Sequence, residues 1–172
     1  PLMAGVYVLG AIYIMICYAG DILPSFKEIF VGAFNPSAAT GGVIGASVKE
    51  AIRYGVARGL FSNEAGMGST PHAHAIARVK HPVEQGLAAI IGLFIDTFIV
   101  LTATALVILV TGSLDGTKTG IELTQAAFVK GMGTAGSGFV ALCLFFAAFT
   151  TIIGWYFFAV QNVKYLFGYK VI

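Results

Sequence analysis

The sequence predicts an all-α membrane protein, and three observations predict it. Of the 172 residues 58% are hydrophobic and only 10% are charged, whereas soluble domains run near a quarter charged and about half apolar. The mean hydropathy is +0.88, and a chain this short buries only about two-thirds of its surface when it folds in water. The apolar residues also fall into long runs nearly free of charge, the length of membrane helices rather than of strands. Lipid is the solvent this composition requires. A net charge of +2 without any basic stripe interleaved with aromatics suits anchoring residues at a membrane face, so no nucleic-acid partner is expected.

Leu2 to Ala19 carries no charge and, at about 1.5 Å per residue, nearly covers a hydrocarbon core of about 30 Å. It forms the first span, about 2–19. Asp21 and Pro24 are expected to end it, with Lys27 and Glu28 in a short polar connection and Pro24 starting the next helix. Pro1 opens on an apolar run with neither a basic leader region nor a small-residue cleavage site, which reads as the mouth of a helix in a longer protein rather than a signal peptide. Cys17 and Cys143 both lie in apolar runs, where a thiol packs as a small hydrophobe and no disulfide framework is expected.

The second span, about 29–57, is discontinuous. Asn35-Pro36 and Thr40-Gly41-Gly42 interrupt it, with Gly45 beyond. A broken backbone survives at membrane depth only where it faces protein or a water-filled cavity, because each unpaired peptide group in lipid costs several kcal/mol. Thr40, Gly41 and Gly42 are therefore a binding-site candidate. The same glycines also suit close helix packing, as small residues do at membrane interfaces.

The third span, about 85–110, precedes an outer loop, about 111–137, with a polar stretch from Asp115 to Lys130. A Phe-rich fourth span, about 138–160, follows. The tail mixes Lys164 and Lys170 with Tyr165, Phe167 and Tyr169, a composition suited to the membrane interface. Arg53, Arg58, Arg78 and Lys80 gather between the second and third spans, whereas Lys118 and Lys130 of the outer loop are balanced by Asp115 and Glu122. The excess of basic residues assigns the connection of about 58–84 and the tail to the cytoplasm.

Three constellations carry candidate chemistry. Asp96 stands mid-span between Ile95 and Thr97, and an ionisable group there serves as ion ligand, proton carrier or partner of a buried base unless it is a structural carboxyl satisfied by hydroxyls. Thr150 and Thr151 stand mid-way along the fourth span; hydroxyl oxygens are hard ligands for a small alkali cation, and intramembrane threonines also bond back to their own helix carbonyls. Glu64, His72, His74 and His81 raise a metal-enzyme alternative, with Asp96 as its acid. Their spacing is unlike a helical two-His zinc motif, and Gly66-Met67-Gly68-Ser69 lacks the lysine of a phosphate loop.

The run from Arg58 to Pro71, RGLFSNEAGMGSTP, with His74, His81-Pro82 and Gln85-Gly86 after it, resembles the signature region of the sodium:alanine (alanine or glycine:cation) symporter family. Ala39 to Gly42, Phe94 to Thr97, Thr102 to Thr104, Phe149 to Trp155 and Tyr165 to Gly168 extend the resemblance. It implies a ten-helix inverted-repeat transporter core with broken helices, of which these four spans would be helices five to eight, in a partial chain lacking the first helices. It also implies sodium-coupled symport of a small neutral amino acid, alanine or glycine, by a multi-pass protein of the plasma membrane, with Na+ as the coupling ion and no catalytic residues. Thr40, Gly41 and Gly42 would then line the substrate site, and Thr150 and Thr151 would hold sodium. Arg58, Asn63, Glu64 and Asp96 would be gate or structural polar residues, with Arg58 and Glu64 suited by charge to pair when the gate closes. A membrane-embedded metal-dependent hydrolase and a passive channel are the alternatives. The residues leave the oligomeric state open, along with sodium against proton coupling.

Overall fold

A computed structural model describes residues 2–34, 44–64 and 67–168. They are almost wholly helical: α1 (Leu2–Cys17), α2 (Ala19–Phe34), α3 (Ile44–Ser62), α4 (Thr70–His74), α5 (Pro82–Phe94), a π-helical segment (Ile95–Leu101), α6 (Thr102–Val110), α7 (Gly120–Met132) and α8 (Ala135–Phe167). No strand occurs among the described residues. The α5–π–α6 stretch, Pro82–Val110, and α8 are each long and apolar enough to cross a membrane, at 29 and 33 residues. If the bent pair α1 and α2 counts as one span, three such crossings are available.

The chain after Ala19 departs from expectation. Instead of a polar connection, Asp21, Pro24, Lys27 and Glu28 lie within α2, and the direction changes at Tyr18, where α1 and α2 meet at 105°. The Asp21 N–H donates to the Tyr18 carbonyl at 2.9 Å and so closes the corner. An interior proline costs a helix about 3 kcal/mol; α2 persists through Pro24 because it is anchored by packing, with Ile22 against the core and Ser25, one turn on, only 5% exposed. Helices in folded proteins draw most of their stability from such a packed face rather than from propensity. The interruption expected at Asn35-Pro36 and Thr40-Gly41-Gly42 lies outside the described residues; α2 approaches it from one side and α3 leaves it on the other.

The core forms where α1, α6, α7 and α8 meet. Ala11 and Ile14 from α1, Ala103, Val107 and Val110 from α6, Ala127 and Phe128 from α7, and Val140 from α8 are buried together. The spacing of three, four or seven residues in α1 and α6 marks one stripe of each turned inward. Phe128 is fully buried, with the rings of Tyr7 and Phe139 at centroid distances of 5.5 and 5.6 Å. The opposite faces are apolar too: Leu87, Ile90, Ile91 and Phe98 on one spanning helix and Phe145, Phe149 and Ile152 on the other are exposed. Helices that are hydrophobic all round belong in lipid or against further helices.

The stretch expected as an outer polar loop contains α7. Asp115 and Lys118 precede it and Glu122 stands in its first turn, yet Thr124, Ala127, Phe128 and Met132 recur at helical spacing, and the last three pack in or on the core. Gly133, at φ +68°, then reverses the chain into α8, a conformation only glycine adopts without strain. Gly136 lets the two helices touch: a Cβ there would overlap the Phe128 carbonyl oxygen and stand 2.8 Å from the Val129 nitrogen.

Candidate functional site

The end of α3 carries the densest polar cluster among the described residues. Asn63 and Glu64 cap the helix with backbone bonds to Gly59 and Phe61. Glu64 takes φ +52°, a left-handed conformation that costs a side-chain-bearing residue about 1–2 kcal/mol. Its carboxylate accepts from the Ser69 hydroxyl at 2.5 Å and from the Thr70 hydroxyl at 3.1 Å. Hydrogen bonds to a charged group contribute about 1.5–3 kcal/mol each, enough to hold the strained turn. Glu64 therefore ties the end of α3 to the start of α4.

A second tie runs from the same corner to the spanning helix. The Ser62 hydroxyl donates to Asp96 Oδ2 at 2.7 Å, and the Thr97 hydroxyl donates to Asn63 Oδ1 at 3.1 Å. Asp96 and Thr97 sit at the start of the π-helical segment, and π turns inside α-helices recur at functional positions. Asp96 thus has a hydroxyl partner. Ser62, Ser69 and Thr70 had no role of their own in the sequence reading. The signal was there for Thr97, a hydroxyl beside the intramembrane acid, but the facing residues lie 34 positions away and depend on where the end of α3 meets the spanning helix.

Two cavities adjoin this corner. One of about 500 Å³ is lined by Ser62, Asn63, Glu64, His74, Asp96 and Phe158 among others. The other, about 990 Å³, shares Asn63, Glu64, Thr70 and His74 and extends to Gln85. The histidines all have local tasks: His74 Nδ1 lies 2.6 Å from Gln85 Nε2, His72 Nδ1 lies 3.1 Å from the Ser69 carbonyl, and His81 caps α5 by accepting from the Val83 N–H at 3.3 Å. Among the described residues no three His, Cys, Asp or Glu side chains gather as metal ligands. The metal-enzyme alternative gains no support from this arrangement.

Arg58 is exposed on α3, while the Glu64 carboxylate is engaged by Ser69 and Thr70. The two do not pair in this conformation. Thr150 and Thr151 are exposed on α8, and both hydroxyls donate to the Ala147 carbonyl at 2.9 Å. Because the protons point back into the helix, the oxygen lone pairs remain open to a cation. Phe158, on the cavity wall, follows them by seven and eight residues, about 10–12 Å along the helix at the standard rise. Thr40, Gly41 and Gly42 lie outside the described residues.

Comparison with known proteins completes the description. The profile of the sodium:alanine symporter family matches residues 1–172. The chain is 42% identical over 171 residues to the uncharacterised transporter YflA of Bacillus subtilis, covering 98% of this chain and 36% of that one. It is 42% identical over 174 residues to the sodium/alanine symporter AgcS of Methanococcus maripaludis, covering 99% and 37%. It is 39% identical over 181 residues to a sodium/proton-dependent alanine carrier protein of Bacillus sp. strain PS3, covering 96% and 40%. The chain spans between 36% and 40% of the length of these relatives.

Proposed function

The chain belongs to the sodium:alanine symporter family, and from that premise we propose that it works within a secondary carrier that couples inward sodium flow to uptake of alanine, with glycine as a smaller substrate, across the plasma membrane. The observation that carries the proposal is the match of the sodium:alanine symporter profile to residues 1–172; Thr150 and Thr151 enter it as two adjacent hydroxyl oxygens on a helix long enough to cross a membrane, both bonded back to the Ala147 carbonyl. Neutral oxygen ligands hold an alkali cation without the charge that would trap it, as release on the far side requires. Thr40, Gly41 and Gly42 complete the proposal as the substrate site, where unwound backbone would offer free N–H and C=O groups to the amino acid and the helix end its dipole.

In this proposal the corner of Asn63, Glu64 and Asp96 belongs to the cytoplasmic gate, with Arg58 beside it on α3. The four expected spans correspond to helices five to eight of the inverted-repeat core. What supports that assignment is the order of the described elements: α2 and α3, then a basic connection, a spanning helix, an excursion and a second spanning helix. The direct experiment reconstitutes the complete membrane protein in vesicles and follows labelled alanine. Uptake driven by an imposed sodium gradient and competed by glycine is expected. Uptake driven equally by a proton gradient without sodium would replace the coupling ion, and downhill flux without sodium dependence would favour the channel.

A further inference from the structure

We infer that Asp96 and Thr97 are positioning residues: together they latch the end of α3 to the spanning helix, and the π-helical turn makes the double contact possible. The contacts are in register, Ser62 with Asp96 and Asn63 with Thr97. Successive side chains on a helix normally diverge, which is why neighbours in sequence rarely serve one partner. The wider turn of a π-helix narrows that divergence. Here the wide turn begins at Ile95, placing both latch residues within it.

What the latch holds is the corner shared by the two cavities. Asn63 and Glu64 line both, and Ser62 and Asp96 line the smaller. From the other side, Glu64 is held by Ser69 and Thr70. The corner is thus fixed twice, once to α4 and once to the spanning helix. Only the second tie crosses to a helix long enough to span. When the end of α3 moves, the Ser62–Asp96 and Asn63–Thr97 bonds must break together, which makes the contact two-state rather than gradual. The latch is local geometry; its service in a transport gate rests on the function proposed above.

The test uses the complete membrane protein, otherwise free of cysteine, in detergent, with a single cysteine at Ala73, which lines the smaller cavity. The readout is the rate of alkylation by a maleimide. Ser62→Ala and Asp96→Ala should each raise that rate about tenfold, as losing a hydrogen bond to a charged group would. The double variant should add nothing further, because both changes cut one bond. Asp96→Asn keeps an oxygen that accepts from Ser62 and should restore a rate within about threefold of the parent, which a role resting on charge would not give. Thr97→Val should produce a smaller rise by itself. Should Asp96→Ala fail to fold, Ser62→Ala and Asp96→Asn carry the test between them.

Unchanged rates in Ser62→Ala would overturn the latch, as would multiplying effects in the double variant or an Asp96→Asn rate equal to that of Asp96→Ala. The readout does not depend on transport. A protein that alkylates as expected but carries no alanine overturns the transport proposal and leaves the latch standing, and sodium-driven uptake with multiplying alkylation effects does the reverse.

Discussion

Gly136 offers a severe test of how α7 and α8 pack. In Gly136→Ala the new methyl would stand 2.5 Å from the Phe128 carbonyl carbon and 2.8 Å from the Val129 nitrogen. Both are backbone atoms of α7, so no rotamer change relieves the overlap, and the helices must part by about 1 Å to reach ordinary contact. Phe128 would move with its backbone away from Tyr7 and Phe139. Overpacking of this kind costs about 1–3 kcal/mol, and rigid backbone places it at the upper end. Replacing a helical glycine by alanine returns about 1 kcal/mol, leaving a net loss of about 2 kcal/mol. Gly138 lies two residues on in the same helix with open space where its Cβ would stand, so Gly138→Ala keeps the propensity gain without the clash. The two variants should therefore differ by about 3 kcal/mol in opposite directions. Melting of the purified protein in detergent, with the variants side by side, measures this. Equal midpoints for the two would refute the close α7–α8 contact, and with it the helix within the outer stretch.

Further predictions concern topology, substrate size and pH. A single cysteine at Ala77 should react with an impermeant thiol reagent only from the cytoplasmic side, and one at Thr117 only from outside; labelling of Ala77→Cys in intact cells would reverse the orientation. Gly42→Ala should lose alanine uptake before glycine uptake, and Gly42→Val both, as expected where a side chain intrudes on a cavity sized for a methyl group; a loss of stability with an unchanged alanine-to-glycine ratio would return Gly42 to a packing role. Asp115 accepts from the Thr117 N–H at 3.0 Å, which holds its carboxyl below the ordinary 3.8. A depressed folded-state value means that the contact stabilises the turn above the unfolded-state value and ceases to do so as pH falls through the lowered one. A carboxylate NMR titration should place its midpoint below 3.8, and a midpoint at or above that value would contradict the contact.

The parts legible in the sequence were those written in long-range composition. Apolar runs gave the helical membrane class, and Asp96 stood out because a carboxyl in an apolar run needs a partner. The bend at Tyr18 was hidden because Asp21 and Pro24 mark the end of a helix whether the chain stops or turns, and only the packing of Ile22 and Ser25 distinguishes the two. At α7 the charges of Glu122 and of Asp115 and Lys118 just ahead of the helix outweighed a buried face of only a few residues. Most of the polar corner was invisible for another reason. Ser62 and Asn63 are ordinary helix-end residues, and their pairing with Asp96 and Thr97 is set by where the end of α3 meets the π-helical turn, a geometry with no local signature. Asn63 came to notice through the resemblance of the run from Arg58 to Pro71, and Glu64 also as a metal donor and a partner for Arg58, neither of which is the contact it makes with Ser69 and Thr70.

The most direct test of the account is the sodium dependence of alanine uptake in Thr151→Ala and Thr151→Ser of the complete protein. A back-bonded threonine without a further role loses one weak intrahelical bond in either variant, and its sodium dependence stays put. A threonine that gives its oxygen to sodium loses a ligand in the first variant and keeps it in the second. The account predicts that Thr151→Ala raises the half-saturating sodium concentration about tenfold or more, a change of about 1.4 kcal/mol, while Thr151→Ser stays near the parent. Because sodium and amino acid are coupled, alanine affinity at limiting sodium should fall by a similar factor. Identical sodium dependence in the parent and Thr151→Ala would contradict the assignment of Thr151 as a sodium ligand.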